Sequence, residues 1–375
     1  QPSQQVPPQI HRRLLIENEP VPKPPQRIPP VRRNCILHTP ERRIHIRYTN
    51  CLRSPRVTVV IPTLSADAAL WVCVQSLQHQ SFREFQTVIV DNSGRQLVRQ
   101  GPPVEASILN PPANIGFGAA INLGAREFPA EFIAALNDDA LPDPHWLATL
   151  VAALDAHPRA GMAASHIENE SAGLLIAIDG SSKQRLPIPT EDDDCLLPSG
   201  AAALYRLELF TVLGGFDESF FLYCEDTDLG LRAHWAGWSC RYAAAARVLH
   251  RYSHSAGRAS ALKAYLVERN RLFLVWKCFP LRRLALVPFA ALWRYLLHLS
   301  ALLEGRGAAA EFRTSGQNPL QLPLFVLRAH WELLLALPRL LTARRHIRRT
   351  AQVSPEAFCE LLDRHQITLP EVAAA

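Results

Sequence analysis

The sequence predicts an α/β protein: a mostly parallel sheet flanked by helices, with C-terminal amphipathic helices and an extended N-terminal tail. Three observations lead there. From Val57 to about residue 157, β-branched runs alternate with segments of helical apolar spacing, the pattern of a parallel sheet with helical crossovers. The expected strands run into acids or asparagines, and in such sheets ligands sit beyond the carboxyl ends of the strands. Finally, 48% of the 375 residues are hydrophobic, ample for one large core with appendages.

Taken in order, residues 1 to 54 are proline-rich and basic (QPSQQVPPQIHRRL, EPVPKPPQRIPPVRRN) and read as a tail or linker, in which RRIHIRY (42 to 48) alternates like one strand. VTVVI (57 to 61) is a buried strand, LWVCVQSLQHQ (70 to 80) a helix and QTVIVD (86 to 91) a strand ending in an acid. FGAAINLGAREF (117 to 128) reads as a helix, FIAALNDD (132 to 139) as a strand and PHWLATLVAALDAH (144 to 157) as a helix introduced by proline. RLELFTVL is a helix that Gly214 and Gly215 end, and CRYAAAARVLH a strand closing on His250. Trp235 and Trp238 read as core, with a sugar-stacking wall as the alternative.

LALVPFAALWRYLLHLSALL (284 to 303) is as long as a membrane span, yet Pro288, Arg294 and His298 interrupt it. Arg283, Arg294 and His298 fall on one arc, as do Arg328, Glu332 and Arg339 further on. Two readings follow: helices packed on the catalytic domain, or helices lying in a membrane interface. The basic run TARRHIRRT (342 to 350) would attract anionic lipids and favours the interface.

Forty Lys+Arg against 34 Asp+Glu give a net charge of +6, which suits anionic partners. No zinc-finger spacing, helix-turn-helix signature or aromatic RNA-binding consensus occurs, so no nucleic-acid partner is expected. The eight cysteines are scattered without a C-x-x-C pair, and no export signal opens the sequence. Reduced thiols and a cytoplasmic setting are expected.

Three acids crowd into FLYCEDTDLGLR (221 to 232): Glu225, Asp226 and Asp228. They suit a helix start, where Asp228 would pair with Arg232, or a working site, since buried carboxylates without partners are costly. With these acids in place, the chain resembles the inverting family 2 glycosyltransferases of the Rossmann-like GT-A fold, in particular the bacterial rhamnosyltransferase-like branch of O-antigen and surface-polysaccharide synthesis. The resemblance runs from about residue 56 to 278 through VTVVIPT, VQSLQHQ, VIVDNS, NIGFGAAIN, LNDDA, SGAAALYR, GGFDESFFLYCEDTDLGLR and VLH, in the family's order.

It implies a tail at 1–54, a catalytic domain at 55–278 and a membrane-associating helical region at 279–375. Pro62, Thr63, Asp91, Asn114, Gly116, Asn122 and Asp138 would bind a nucleotide-sugar donor, and Asp139 and His250 a divalent metal, Mn²⁺ or Mg²⁺. Asp226 would be the general base with Glu225 beside it, and Ser199 and Gly200 would face the acceptor. Asn137 departs from the family's Asp-x-Asp. Arg269 and Arg271 are candidate contacts for a diphosphate or lipid carrier. The implied donor is dTDP-rhamnose, the implied acceptor a lipid-linked glycan on the anionic inner leaflet, and the implied location the cytoplasmic face of the inner membrane. The alternatives are a catalytically silent glycan- or nucleotide-binding relative and a nucleotidyltransferase.

Overall fold

The computed structural model describes residues 54–168, 171–250 and 260–374. The tail with its RRIHIRY strand lies outside the described residues, apart from Ser54. In chain order the first half comprises β1 (Val57–Thr63), α1 (Ala68–Gln78), β2 (Phe85–Asp91), β3 (Ser107–Leu109), α2 (Phe117–Glu127), β4 (Phe132–Leu136), β5 (Ala140–Pro142) and α3 (Trp146–Ala156). There follow β6 (Ala160–Ile167), β7 (Leu174–Ile176), β8 (Ser182–Gln184), β9 (Asp193–Cys195), β10 (Ala202–Arg206), α4 (Leu207–Leu213), α5 (Glu225–Trp235) and β11 (Ser239–His250). The C-terminal helices are α6 (Ala261–Cys278), α7 (Leu281–Leu284), α8 (Val287–Leu303), α9 (Gly307–Thr314), α10 (Leu322–Arg349), α11 (Pro355–Arg364) and α12 (Leu369–Ala374).

Eight strands follow the order β3-β2-β1-β4-β10-β6-β11-β5, and β9 also pairs with β11. Strands β1, β2, β3, β4, β6 and β11 point one way while β5, β9 and β10 oppose them, so the sheet is mostly parallel. Every residue of β1 is buried, which explains why its apolar run is continuous rather than alternating. Apolar side chains of α1 and α3 cover one face, and those of α2, α4 and α5 the other. Gly214 ends α4 with φ +74°, as the sequence suggests.

Register places the site. In the β1–β2 pair Thr63 stands opposite Asp91, and β4 ends at Leu136, so its carboxyl end runs into Asn137, Asp138 and Asp139. Antiparallel β10 sets Ala202 beside Leu136, which brings residues 199 to 201 to that same end. Strand β11 pairs His250 with Ala140 of β5. Four distant stretches of chain thus meet at one edge.

Trp235 is core. Its ring stacks on Phe358 with centroids 4.0 Å apart, and its indole N–H donates to the Cys278 carbonyl at 2.9 Å. It therefore joins α5 to the C-terminal helices, and α10 lies along α6 in the same apolar cluster.

Helices α8 and α10 pair several charges towards the core: Arg294, buried, meets Asp179 and Glu268 at 2.6 Å each, Glu332 meets Arg269 at 3.6 Å, and the exposed Arg339 reaches Asp217 at 3.8 Å. Their outer faces carry Phe289 (74% exposed), Trp293, Leu296 and Leu303 on α8, and Leu327 (67%), Trp331, Leu334 and Leu335 on α10. Long apolar side chains left in water at helical spacing form a patch of the kind that marks an interaction surface. The helical stretch Pro319–Arg349 is long and apolar enough to cross a membrane by length and composition.

Candidate active site

Strand ends build the first part of the site. His250 Nε2 lies 3.0 Å from Asp139 Oδ1 and 3.0 Å from the side-chain amide of Asn137. Two ligands of one small divalent cation stand about 3 Å apart, which fits Asp139 Oδ1 and His250 Nε2, whereas the Asn137 atom at that distance is its amide nitrogen, a donor that does not ligate. The donor set fits as well: a carboxylate and an imidazole suit Mn²⁺ or Mg²⁺, and a turn of the Asn137 amide would add its carbonyl oxygen. No group of three His, Cys, Asp or Glu side chains forms a metal cluster among the described residues. The third member here is an asparagine.

Next to it, the Thr63 hydroxyl and Asp138 Oδ2 are 2.6 Å apart, joining the ends of β1 and β4. Burial pushes the Asp138 carboxyl up to about 6, against the opposing Thr63 hydrogen bond. Pro62 lies within β1. Asp91 accepts from the backbone N–H of Ser93 at 3.0 Å and of Val98 at 2.8 Å, so both of its oxygens fix the turn after β2. Asn114 accepts from the Gly116 N–H at 2.9 Å. Gly116 has φ +88° and lies so close to Phe221 that a Cβ would stand 2.3 Å from its carbonyl oxygen. Only glycine permits that approach, which joins the segment before α2 to the loop before α5.

That loop is strained. Phe221, Tyr223 and Cys224 have φ of +65°, +70° and +64°, at about 1–3 kcal/mol each for residues with side chains. Asn270 of α6 holds it, with Nδ2 at 2.9, 2.9 and 2.7 Å from the carbonyls of Phe220, Leu222 and Tyr223. Arg269 adds bonds to the Ser219 and Phe220 carbonyls at 3.2 and 2.9 Å. Nothing in the sequence marks Asn270 for this task, because its partners lie 47 to 50 residues away.

The strained loop delivers the paired acids. Asp226 is partly exposed, and its carboxylate accepts from the Gly200 N–H at 3.0 Å, the Thr227 N–H at 2.6 Å and the Thr227 hydroxyl at 3.2 Å. Glu225 is buried, and its Oε2 has no hydrogen-bond partner among the described residues. Burial, then the neighbouring Asp226, pushes Glu225 up to about 8. Burial also raises Asp226, but the N–H groups of Gly200 and Thr227 oppose it. The negative charge of the pair therefore resides on Asp226.

Gly200 and Ala201 link the two ends of the site. The Gly200 N–H binds Asp226, and the next carbonyl, of Ala201, accepts from the Asn137 N–H at 2.9 Å. Ser199 closes this turn, accepting at its carbonyl from the Ala202 N–H at 3.3 Å. Asn122 faces elsewhere: its amide exchanges two 2.9 Å bonds with the Phe216 backbone and fixes the turn after α4. Asp228 is buried between Arg232 at 2.7 Å and Lys277 at 2.8 Å. Arg271, a candidate phosphate contact, is buried against Glu268 at 2.5 Å and Asp179 at 3.6 Å.

Glu225→Gln tests the neutral acid. A folded value near 8 against an ordinary 4.5 means that the native state holds more protons across that window, so wild-type stability falls as pH rises from about 4.5 towards 8. The variant lacks this slope. Its thermal midpoint should exceed the wild type's at pH 8 by more than at pH 5, and a pH-independent difference would refute the assignment.

With this geometry in place, relatives can be compared. The profile of Glycosyl transferase family 2 matches residues 58–214. The N-acetylglucosaminyl-diphospho-decaprenol L-rhamnosyltransferase of Mycobacterium tuberculosis is 30% identical over 248 residues, covering 55% of this chain and 80% of that protein. The O-antigen chain rhamnosyltransferase WbaN of Salmonella anatum is 25% identical over 219 residues, covering 54% and 68%. Among solved structures, GalNAc-T7 with UDP, GalNAc and Mn²⁺ superposes with a TM-score of 0.50 at 16% identity, over 60% of this chain and 48% of that one. The fold is that of a GT-A glycosyltransferase. The chain belongs to glycosyltransferase family 2, in its rhamnosyltransferase-like branch.

Proposed function

We propose that the protein is an inverting glycosyltransferase that moves a sugar, rhamnose by kinship, from a nucleoside-diphosphate sugar to a lipid-linked glycan. The observation that carries this is the Gly200–Ala201 turn, which ties the Asp226 carboxylate to the strand end bearing Asn137, Asp138 and Asp139. Asp139 and His250 hold a divalent cation, Mn²⁺ or Mg²⁺, which when bound neutralises charge on the departing diphosphate. Thr63, Asp138 and the Asn114–Gly116 turn shape the donor side.

Asp226 accepts the proton of an acceptor hydroxyl as that oxygen attacks the anomeric carbon; the bond to the donor phosphate breaks on the opposite face, which inverts the centre. Glu225, neutral near pH 7, leaves the negative charge of the pair on Asp226. A catalytically silent relative would not need Asp226 held by three donors beside a potential metal pair. Transfer screened across a panel of nucleotide sugars with Mn²⁺ and Mg²⁺ tests the reading, and no turnover or hydrolysis with any of them would reject it.

Within the compact unit of residues 52–375 we assign 55–278 to catalysis and 279–375 to membrane association. We assign the outward apolar faces of α8 and α10 to the anionic inner leaflet, with the protein peripheral on its cytoplasmic side. Arg294 and Glu332 paired on the inner side, with Phe289, Trp293 and Trp331 outside, support an interfacial position. Sedimentation with vesicles containing anionic lipid should carry down the full chain. Paired Phe289→Ser and Trp293→Ser changes should reduce the bound fraction several-fold, and a protein that stays in the supernatant would remove the assignment.

A further inference from the structure

We propose that the cavity between α7, the C-terminal end of α10 and the start of α11 binds a phosphate group, with Arg282, Arg344 and Arg348 as its cations. None of the residues lining it belongs to the donor or acceptor groups described above, so the site is additional to the reaction assigned there.

The cavity measures about 470 Å³, and its wall holds these three arginines and one acid, Glu356, a net charge of +2. Pro355 and Glu356 open α11, so the positive end of that helix faces the same space. Pro280 and Leu281 add apolar surface.

Positive charge so concentrated is ordinarily cancelled, and next to the cavity it is: Arg283, which follows Arg282 on α7, pairs with Asp363. The three arginines of the wall have no ion pair among the described residues. Arg344 Nη1 donates to the Trp276 carbonyl at 3.0 Å, and the Arg348 guanidinium lies 3.6 Å over the Trp235 ring with Nη2 at 3.5 Å from the Cys278 carbonyl. Those partners are neutral. Arg348 Nη1 is buried and has no hydrogen-bond partner among the described residues. Burial, then Arg344, lower the Arg348 guanidinium to about 10, and burial lowers Arg344 as well. Guanidiniums drawn out of water without a counter-charge are costly, and an anion entering the cavity would relieve that cost.

Charge selects the anion. A carboxylate brings a single negative charge, whereas a phosphate monoester brings up to two over three oxygens, which matches a net +2 and three guanidiniums offered from α7 and α10. Leu281 in the wall is 73% exposed, and Leu286 and Phe289, also exposed, follow it into α8. A phosphate at the head of an apolar chain fits that border, and a soluble phosphate monoester presents the same group without the chain. Helix α5 separates the cavity from Glu225 and Asp226: those acids open the helix, and Trp235, under Arg348, closes it about 14 Å further along the axis.

Calorimetric titration of the full chain, in chelator to silence the metal end, with glycerol phosphate and with dihexanoyl phosphatidate below its micelle concentration tests this. Both phosphates should bind, and glycerol, the neutral control, should not. Arg282 is exposed on α7, and Arg282→Glu should weaken the binding of both phosphates about tenfold or more. Glu356, also exposed, carries the opposing charge, so Glu356→Gln should tighten binding, a gain that misfolding cannot mimic. Tighter binding of the phosphatidate than of glycerol phosphate supports a lipid head group as the source, and equal binding supports the same site with a soluble phosphate. Absence of binding by both phosphates, or equal affinities in the wild type, Arg282→Glu and Glu356→Gln, overturns the proposal.

Discussion

Asp226→Asn should keep donor binding and lose transfer by about 10²- to 10⁴-fold, the range that general-base catalysis by a positioned side chain supplies. The substitution preserves volume and removes the basic oxygen. A sugar hydroxyl is a poor nucleophile, and in this site Asp226 is the carboxylate that holds charge, because Glu225 is neutral near pH 7 and Asp228 is enclosed by Arg232 and Lys277. The loss should appear in kcat, with little change in the KM for donor, as expected when an interaction specific to the transition state is removed. Asparagine offers one acceptor oxygen to the Gly200 and Thr227 N–H groups, where aspartate offers two. A modest fall in thermal midpoint is therefore expected beside the kinetic loss. Near-normal turnover with an intact fold would end the assignment.

Asp139→Ala should abolish metal-dependent donor binding. The change removes the carboxylate that faces His250 Nε2 at 3.0 Å and leaves the imidazole with the Asn137 amide beside it. A neutral pair lacks the charge that draws a hard divalent cation away from water. Donor affinity measured with Mn²⁺ should fall at least tenfold, to the level that the wild type shows in chelator. Equal affinities for both proteins, with and without chelator, would count against the metal role. Asn137→Asp offers a complementary test: adding a second carboxylate should tighten Mn²⁺ binding.

Much of this site was legible in the sequence because its residues end strands. A continuous β-branched run announces a strand buried on both faces, and the acid after it marks the edge where ligands gather. Asp91 and Asp139 stand out in that way, and the family's motif order supplied Thr63, His250 and Asp226. The joints between them were not legible. The Gly200 N–H bond to Asp226 spans 26 residues and uses a backbone donor that any residue but proline possesses. The Asn270 clamp spans nearly fifty and has no periodic signature.

Arginines misled for a related reason. Arg269 and Arg271 look like phosphate ligands in one dimension, but the first is occupied by loop carbonyls and the second by Asp179 and Glu268. Asn122 shows the same limit, since its amide braces the Phe216 turn. Which polar group is already satisfied depends on the fold, and spacing alone does not encode it.

Helices that present tryptophan and leucine outward would, in the proposed interfacial position, change the dimensionality of the search for a substrate. Lying flat on a leaflet, such a molecule would meet a lipid-borne substrate by lateral diffusion, so its rate would follow the number of acceptors per unit area. Diluting the acceptor with inert lipid would then slow turnover, while adding buffer at fixed surface composition would not.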